Sequence, residues 1–353
     1  MGKQTIAVLF GGQSSEHEIS CMSAANVIDQ IDRERYELLL VGITREGRWL
    51  KTEGVEDIRS GKWRESGTGA ILSPDATEHC LIIHEKTAYI KVSVDMVFPV
   101  MHGLYGEDGT IQGLCTLARL PFVGCGVAAS AVGMDKGLTK LIVPTLGIDQ
   151  AAFLLITEPD LADMVAVLDR IERRFSYPVF VKPCNAGSSC GITKAHDRDE
   201  LAVAFREAAR YDRRILVEEM IVGREIECAV LGGGKAAVQA SAVGEILAAA
   251  DFYDYDAKYY DPQSQTVADP ELPGDAAERV RAAAVKIFRA LDGYGLSRVD
   301  FFVTAEGRVV FNEINTIPGF TAISMYPMLW EAGGKDKKTL IQELIDLAFE
   351  RRR

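Results

Sequence analysis

Long apolar runs are missing from this sequence. Nothing approaches the roughly 20 consecutive apolar residues of a membrane-spanning helix, and the opening MGKQTIAVLFGG breaks off at glycines before any signal-peptide cleavage pattern. The expectation is a cytoplasmic protein. Paired metal-binding or redox cysteines are missing too. Cys21, Cys80, Cys115, Cys125, Cys184, Cys190 and Cys228 form no C-x-x-C pair and have no histidine at metal spacing. That excludes a zinc ribbon and a disulfide scaffold and leaves reduced thiols that mostly fill core. The phosphate-cradling motif G-x-x-x-x-G-K-[ST] is absent throughout. Basic charge is in deficit: 39 Lys and Arg stand against 51 Asp and Glu, a net charge of −12. This opposes general attraction to nucleic acid or an anionic membrane and leaves room for a local basic site that holds a phosphorylated small molecule. There is no internal repeat and no low-complexity tract. With 48% hydrophobic and 25% charged residues, disordered, collagen-like and coiled-coil classes are excluded, and 353 residues imply two or three lobes.

What is present begins with TIAVLF, Thr5 to Phe10, a short apolar run closed by Gly11-Gly12, which reads as a buried strand and a tight loop. Ser15, followed three residues later by Glu18, reads as a capping box that starts the next helix. YELLLVGIT and VDMVFPVMHG repeat the pattern of buried strands ending in loops, and IQGLCTLARL reads as a helix. Residues 1–133 are therefore expected to form an open, mainly parallel α/β sheet, with ligands beyond the C-terminal strand ends. Two of those ends carry polar clusters, GGQSSEHE and MHGLYGEDG.

Residues 134–220 read as a small α+β lobe. The spacing of Leu161, Met164, Leu168, Ile171 and Phe175 predicts a helix with one apolar stripe, and VFVKP, GITKA and RILVEE predict strands. Residues 221–353 hold the strands EIECAVL, RVDFFVT and VVFNEIN, a helix from about Asp275 to Leu291, and a closing helix from about Leu340 to Phe349. Among them, DFYDYDAKYYDPQSQTVADP is too polar, aromatic and proline-broken for core. A loop of that length inside a compact domain is usually functional, often a lid.

The most informative stretch is RVDFFVTAEGRVVFNEIN. Read as a hairpin turning at Glu306-Gly307, it sets Asp300 opposite Glu313 and Arg298 opposite Asn315, all on one face. The other face then carries Val299, Phe301 and Val303 against Ile314, Asn312 and Val310. Directly opposed side chains have Cβ atoms about 4.5 to 5.5 Å apart, so two carboxylates there repel unless a cation sits between them. Two acids and an amide oxygen are hard ligands suited to Mg²⁺, which takes the rest of its shell from water and substrate phosphates. The plainer reading of the two acids is a solvated edge. VKPCNAGSSCG places Lys182 at a strand end before a Gly-Ser turn whose free backbone N–H groups can close over phosphates as a flap, and Lys136 is a second candidate phosphate ligand. In LVEEMIVGREIE, Glu218 suits an adenine amino group and Glu225 ribose hydroxyls.

These segments, in this order, resemble the ATP-grasp enzymes, and within them the D-alanine–D-alanine ligases. GGQSSEHEIS, HGLYGEDGTIQG, MDKGLTK, FVKPCNAGSSCG, GREIECAVLG, DFYDYDAKYYD, RVDFF and NEINTIPGFTAISMYP carry the likeness over nearly the full chain. The resemblance implies a three-lobed ATP-grasp fold, a homodimer, and ATP-dependent joining of two D-alanines for peptidoglycan through an acyl phosphate, with two Mg²⁺ ions for which Mn²⁺ can substitute. By the same resemblance Glu16 anchors the ammonium of the first D-alanine and His102 lies near it. Lys136, Lys182 and the flap's Ser188 contact phosphates, Glu218 and Glu225 the adenine and ribose, and Asp300, Glu313 and Asn315 the metal. Arg298 and the Gly319 backbone stabilise the oxyanion, and Ser324 holds the second carboxylate. Lys258 and Tyr259 sit on the lid, and Tyr259 meets Ser188 and Glu16 on closure.

Cys184 and Cys190 depart from the small or aliphatic flap residues expected of the family, which raises thiol sensitivity against the plainer reading of apolar filler. Glu18 reads as a capping partner and Trp49, Trp63 and Trp330 as packing. Two rivals stand beside the ligase: a D-Ala-D-Ser or depsipeptide ligase, against which the lid sequence AKYYD speaks, and a nucleotide-binding regulator without turnover, which predicts a broken metal set.

Overall fold

The computed structural model describes residues 2–85, 87–247 and 265–351. Seven strands, β1 (Gln4–Gly11), β2 (Tyr36–Ile43), β3 (Trp49–Thr52), β4 (Gly69–Leu72), β5 (Cys80–Glu85), β6 (Ala88–Ser93) and β7 (Met96–Val100), form one sheet in the order β6-β5-β4-β3-β2-β1-β7. The expected parallel pairing is that of β1 with β2 and β7, and β3 to β6 extend it as an antiparallel meander. The uninterrupted apolar run of β1 suits a strand covered on both faces. Ile6, Val8 and Phe10 enter one core cluster and Ala7 and Leu9 another.

Helix α1 (His17–Gln30) follows the β1 loop. The expected capping box does not form: Glu16 holds the N-cap position without a side-chain bond, and the Glu18 carboxylate accepts from Arg64 Nη2 at 2.8 Å. A guanidinium within reach outcompetes a local backbone N–H for a carboxylate.

A second sheet, antiparallel and ordered β10-β9-β11-β8, contains β8 (Phe153–Thr157), β9 (Val179–Pro183), β10 (Thr193–Ala195) and β11 (Arg214–Glu219). Strand alternation splits its residues. Val179, Val181, Ile215 and Val217 pack on the helices Met164–Glu172 and Arg198–Ala208, while Phe180, Lys182 and Glu218 line a cavity on the opposite face.

The third sheet, also antiparallel, is ordered β14-β13-β12-β15-β16, with β12 (Arg224–Gly233), β13 (Ala236–Leu247), β14 (Gln265–Ala268), β15 (Gly295–Val303) and β16 (Val309–Asn315). Ile226, Cys228, Val230, Val299, Phe301 and Val303 pack on the helix Ala276–Ala290, and Cys125, Ala129 and Val143 join that core from earlier in the chain. The end of the polar segment expected to be loop is strand β14, whose four residues pair with β13. Most of its remainder, including Lys258 and Tyr259, lies outside the described residues. A further core cluster runs without a break from β1 and α1 through Ala229 and Leu231 to Phe320, Tyr326 and the closing helix Lys337–Glu350.

The β15–β16 hairpin corrects the expectation in an instructive way. Arg298 pairs with Asn315 and Asp300 with Glu313, as expected, but Phe301 pairs with Phe311 and Val303 with Val309. The turn has three residues between Thr304 and Arg308, whose backbones bond at 3.0 Å, with Gly307 at φ 80°. Asn312 is the extra residue of a bulge that restores the register. Phe311 therefore takes the core place expected for Asn312, and Asn312 turns into the cavity.

Trp63 is 2% exposed and packs edge-on against Phe10, with ring centroids 5.0 Å apart. A Cβ on Gly42 would lie 2.3 Å from the Trp63 ring. Gly42→Ala is expected to cost about 1–3 kcal/mol in urea unfolding, whereas Gly67→Ala, with nothing within 4 Å, stays within about 0.5 kcal/mol; equal costs contradict this packing.

Candidate active site

The loop after β1 and the start of α1 bring Glu16 to the mouth of the first sheet. Its carboxylate is 8% exposed, and Cβ atoms on Gly103 and Gly187 would stand 2.7 and 2.3 Å from Oε2, so two glycines let the backbone close around it. Ser188 donates to Glu16 Oε1 at 2.6 Å. Oε2 is buried with no hydrogen-bond partner among the described residues. Ser188 and Ser189 hold φ values of 48° and 58°, a left-handed conformation that non-glycine residues adopt at a cost and that clusters at functional sites. The flap thus reaches from the second sheet to a residue of the first.

Across the cavity, register places three acids side by side: Glu227 on β12 pairs with Asp300 on β15, which pairs with Glu313 on β16. Arg298 lies over this row, with Nε and Nη2 on the two Asp300 oxygens at 2.8 and 2.7 Å and Nε 3.0 Å from Glu227. Burial alone would lower the Arg298 pKa, but Asp300 and Glu227 hold it well above its ordinary value. Asn315 donates to Asp300 at 3.0 Å. Lys136 stands 3.3 Å from Glu313 and donates to the Ala186 carbonyl of the flap at 2.8 Å. Asp300 is 2% exposed and sits behind Glu313 and Asn315, which line the cavity. Gly319 and Ser324 complete the lining, and a Cβ on Gly319 would fall 2.7 Å from Ser324 Oγ. The volume is about 120 Å³.

A second cavity of about 470 Å³, within the usual range for small-ligand sites, lies between the polar faces of the two antiparallel sheets and is lined by Lys182, Glu218, Glu225 and Asn312 among others. Glu218 lies 2.6 Å from Lys182 and 2.5 Å from Lys140. Burial would raise the Glu218 carboxyl, but the two ammonium groups override it and hold it at about 2. Burial pulls Lys140 below its ordinary value; for Lys182 the attraction of Glu218, Glu313 and Glu225 outweighs the same penalty and raises it.

The residues singled out in the sequence therefore fall into two adjoining groups. Glu16, His102, Lys136, Ser188, Arg298, Glu313, Asn315, Gly319 and Ser324 line the smaller cavity, and Lys182, Glu218 and Glu225 the larger, with Glu313 on both. Sequence reasoning missed Lys140, Glu227, Asn312 and Glu107. Lys140 is 1% exposed, at the fourth position after Lys136 on one helix face, a spacing that was available as a signal. Glu107 is buried and its carboxyl is pushed up to about 8 by burial and by Glu16. Cys184 is not on the flap surface: it is fully buried, and burial pushes its thiol up to about 12, so it is apolar filler. Cys190 is partly exposed.

Two antiparallel sheets facing each other across a lysine-lined cavity, beside an acid row and a serine flap, define the chain as an ATP-grasp enzyme. A family model described as D-ala D-ala ligase N-terminus matches residues 5–125, and one described as D-ala D-ala ligase C-terminus matches residues 142–346. A D-alanine–D-alanine ligase of Acetivibrio thermocellus is 50% identical over 99% of this chain and 96% of its own length, and that of Ruminiclostridium cellulolyticum 49% identical over the same shares. The solved structure of the D-alanine-D-alanine ligase from Coxiella burnetii superposes with a TM-score of 0.87 at 37% identity, covering 99% of this chain and 95% of that one. VanG D-Ala:D-Ser ligase from Enterococcus faecalis superposes at 0.89, also at 37% identity, over 98% and 100%. The chain belongs to the D-alanine–D-alanine ligase family.

A carboxyl held below its ordinary value stabilises the fold above its unfolded pKa, 4.5 for Glu218, and that contribution disappears as pH falls towards about 2. Lys140→Met should raise KM for ATP several-fold. Its urea-unfolding deficit relative to wild type should be full at pH 6 and shrink towards pH 3; a deficit that does not change with pH contradicts the ion pair.

Proposed function

We propose that this chain joins two D-alanines into D-alanyl-D-alanine with ATP, in the synthesis of peptidoglycan precursors. The observation that carries the reading is Glu16: a buried carboxylate oxygen without a partner among the described residues faces the cavity that also holds the acid row, Gly319 and Ser324. A buried carboxylate oxygen left open suits an ammonium, and a hydroxyl beside a helix N-terminus, that of Ser324, suits a carboxylate, so one small cavity carries anchors for the two opposite ends of amino acids.

In this reading the chain's division of labour follows its geometry. Glu16 holds the ammonium of the first D-alanine, so that its carboxylate faces the acid row. The adjoining larger cavity takes the nucleotide, with Glu218 for the adenine amino group, Glu225 for the ribose, and Lys136 and Lys182 for phosphate charge. The carboxylate is phosphorylated to an acyl phosphate, because a free carboxylate is a poor electrophile. The amine of the second D-alanine, positioned through its carboxylate by Ser324, then forms the C–N bond as phosphate departs. Arg298 and the Gly319 N–H stand ready to stabilise the oxyanion of that step.

The donor set fits a hard divalent cation. Three carboxylates stand in a row with Arg298 and Lys136 at ion-pair distance, and Glu313 and Asn315, both oxygen-bearing side chains, line the cavity. Asp300, Glu313 and Asn315 would hold Mg²⁺, which supplies charge neutralisation for the transferred phosphoryl group. Family likeness extends the reading to two ions, to Lys258 and Tyr259 on a lid and to a homodimer, and the sequence pattern adds lobes at 1–133, 134–220 and 221–353 and a cytoplasmic setting. Among the described residues no helix is long and apolar enough to cross a membrane.

The test is product analysis with ATP, Mg²⁺ and D-alanine, alone or with D-serine or D-lactate. ADP and D-alanyl-D-alanine in equal amounts from D-alanine alone are expected. A D-serine product favoured over the dipeptide moves the specificity to the VanG type, a D-lactate product to a depsipeptide ligase, and ATP binding without ADP release overturns the ligase. Glu313→Gln is expected to lower kcat at least a hundredfold with the melting temperature within a few degrees of wild type; near-native turnover removes Glu313 from the metal site.

A further inference from the structure

The segment Ile317–Phe320, which carries Gly319, belongs to the C-terminal part of the chain, yet its backbone is held by side chains from the first sheet's lobe. Ile317 N–H donates to Glu107 Oε1 at 2.9 Å and the Ile317 carbonyl accepts from His102 Nδ1 at 2.8 Å. Phe320 N–H donates to Ser23 Oγ at 3.1 Å and the Phe320 carbonyl accepts from Asn26 Nδ2 at 2.9 Å. His102 Nε2 lies 3.0 Å from Ser23 Oγ. Because a carbonyl only accepts, Nδ1 carries the ring proton, so in a neutral imidazole Nε2 accepts from the Ser23 hydroxyl. Burial, which lowers the His102 pKa, favours that neutral form. Ser23 Oγ is then left with lone pairs for Phe320 N–H. Every donor and acceptor of this chain has a consistent role, from Ile317 through His102 and Ser23 to Phe320.

Ser23 and Asn26 lie on α1, six and nine residues beyond its first residue, His17, and Glu16 occupies the N-cap position of the same helix. One rigid element therefore carries both the anchor for the first amino acid and the grip on the loop that presents Gly319 and leads to Ser324. We infer that Ser23 and Asn26 are positioning residues that set the second D-alanine's place, through the Gly319 loop, relative to the first D-alanine on Glu16. The inference rests on the ligase reading above and deepens it: the distance between the two amino-acid sites is fixed by α1 through side-chain bonds to the loop backbone. Misplacing reacting groups by about 1 Å costs on the order of a hundredfold, so a loosened loop reads out at the acceptor step.

Two nearly isosteric variants test this. Ser23→Ala removes the hydroxyl from a fully buried site; Asn26→Asp, at a partly buried site, keeps the shape and removes the donor to Phe320. Each should raise KM for the second D-alanine or lower dipeptide kcat by about ten- to hundredfold, with KM for ATP and for the first D-alanine within about twofold. ADP release should exceed dipeptide formation as the acyl phosphate is lost to water. Asn26→Gln, which retains an amide donor, should recover part of the coupling. Kinetics unchanged beside a lowered melting temperature, or equal losses at all three substrates, overturn the inference and leave a merely structural role. Should Ser23→Ala fail to fold, Asn26→Asp alone decides between these outcomes. A wild-type enzyme that forms no dipeptide overturns the ligase reading itself and this inference with it; a wild type that ligates normally, with variants equally well coupled, overturns the inference alone.

Discussion

Three carboxylates at one level of a sheet, on Glu227, Asp300 and Glu313, repel one another, and much of the site is organised around that repulsion. Cross-strand neighbours stand about 5 Å apart, too close for three anions in a dry interior. Arg298 answers two of them with its planar fork and Lys136 the third. Buried ion pairs of this kind rarely stabilise a fold, since desolvation offsets most of their attraction; here their effect is positional. Lys136 also bonds the flap carbonyl of Ala186, and Ser188 of that flap bonds Glu16. A continuous line of polar contacts therefore runs from the third sheet through the flap to the first. The charge balance of the acid row and the placement of the first substrate anchor are parts of one arrangement.

The elements that were legible in the sequence are those whose apolar pattern had a single solution. TIAVLF forms the strand covered on both sides that its apolar run suggests, and Met164, Leu168 and Ile171 pack as a helix face should, while Phe175 joins the same core from beyond the end of the helix at Glu172. The hairpin shows where such reading stops. Its essential rung, Asp300 with Glu313, is as expected because two one-residue irregularities cancel: a longer turn before it and the Asn312 bulge within it. Alternation alone cannot see a bulge, since a polar residue among apolar ones looks like an ordinary face change. Ser15 and Glu18 have capping spacing, but Arg64, 46 residues further along the chain, takes the carboxylate instead. The short strands β3 to β6 carry mixed patterns that no local rule singles out.

The site was legible where residue type and strand position coincided, as at Lys182, Glu218 and the acids of the hairpin; Glu16 was singled out through the family resemblance. It was illegible where function depends on distant partners. Lys140 reads as a surface lysine of a short helix until Glu218 is placed beside it. Glu107 looks like one acid in a polar loop, but it accepts from a backbone N–H 210 residues away. Glu227 acquires meaning only from the strand order that sets it next to Asp300. Each depends on chain topology, which local spacing does not encode.

The two cavities share one wall. Glu313 lines both, with Lys136 on its carboxylate, while the Lys182–Glu218–Lys140 group closes the larger cavity on the second sheet. In the proposed reading, a phosphoryl group passing from a nucleotide in the larger cavity to a carboxylate in the smaller one crosses the wall that Glu313 forms together with Ser189, Ile192 and Ile246. Fixed charges at such a crossing act on the group only while it is there, and that is the condition under which electrostatic preorganisation accelerates a reaction instead of merely tightening binding. Placing Glu313 on a strand rung paired with Asp300, next to a bulge, gives that crossing the rigidity a loop would not.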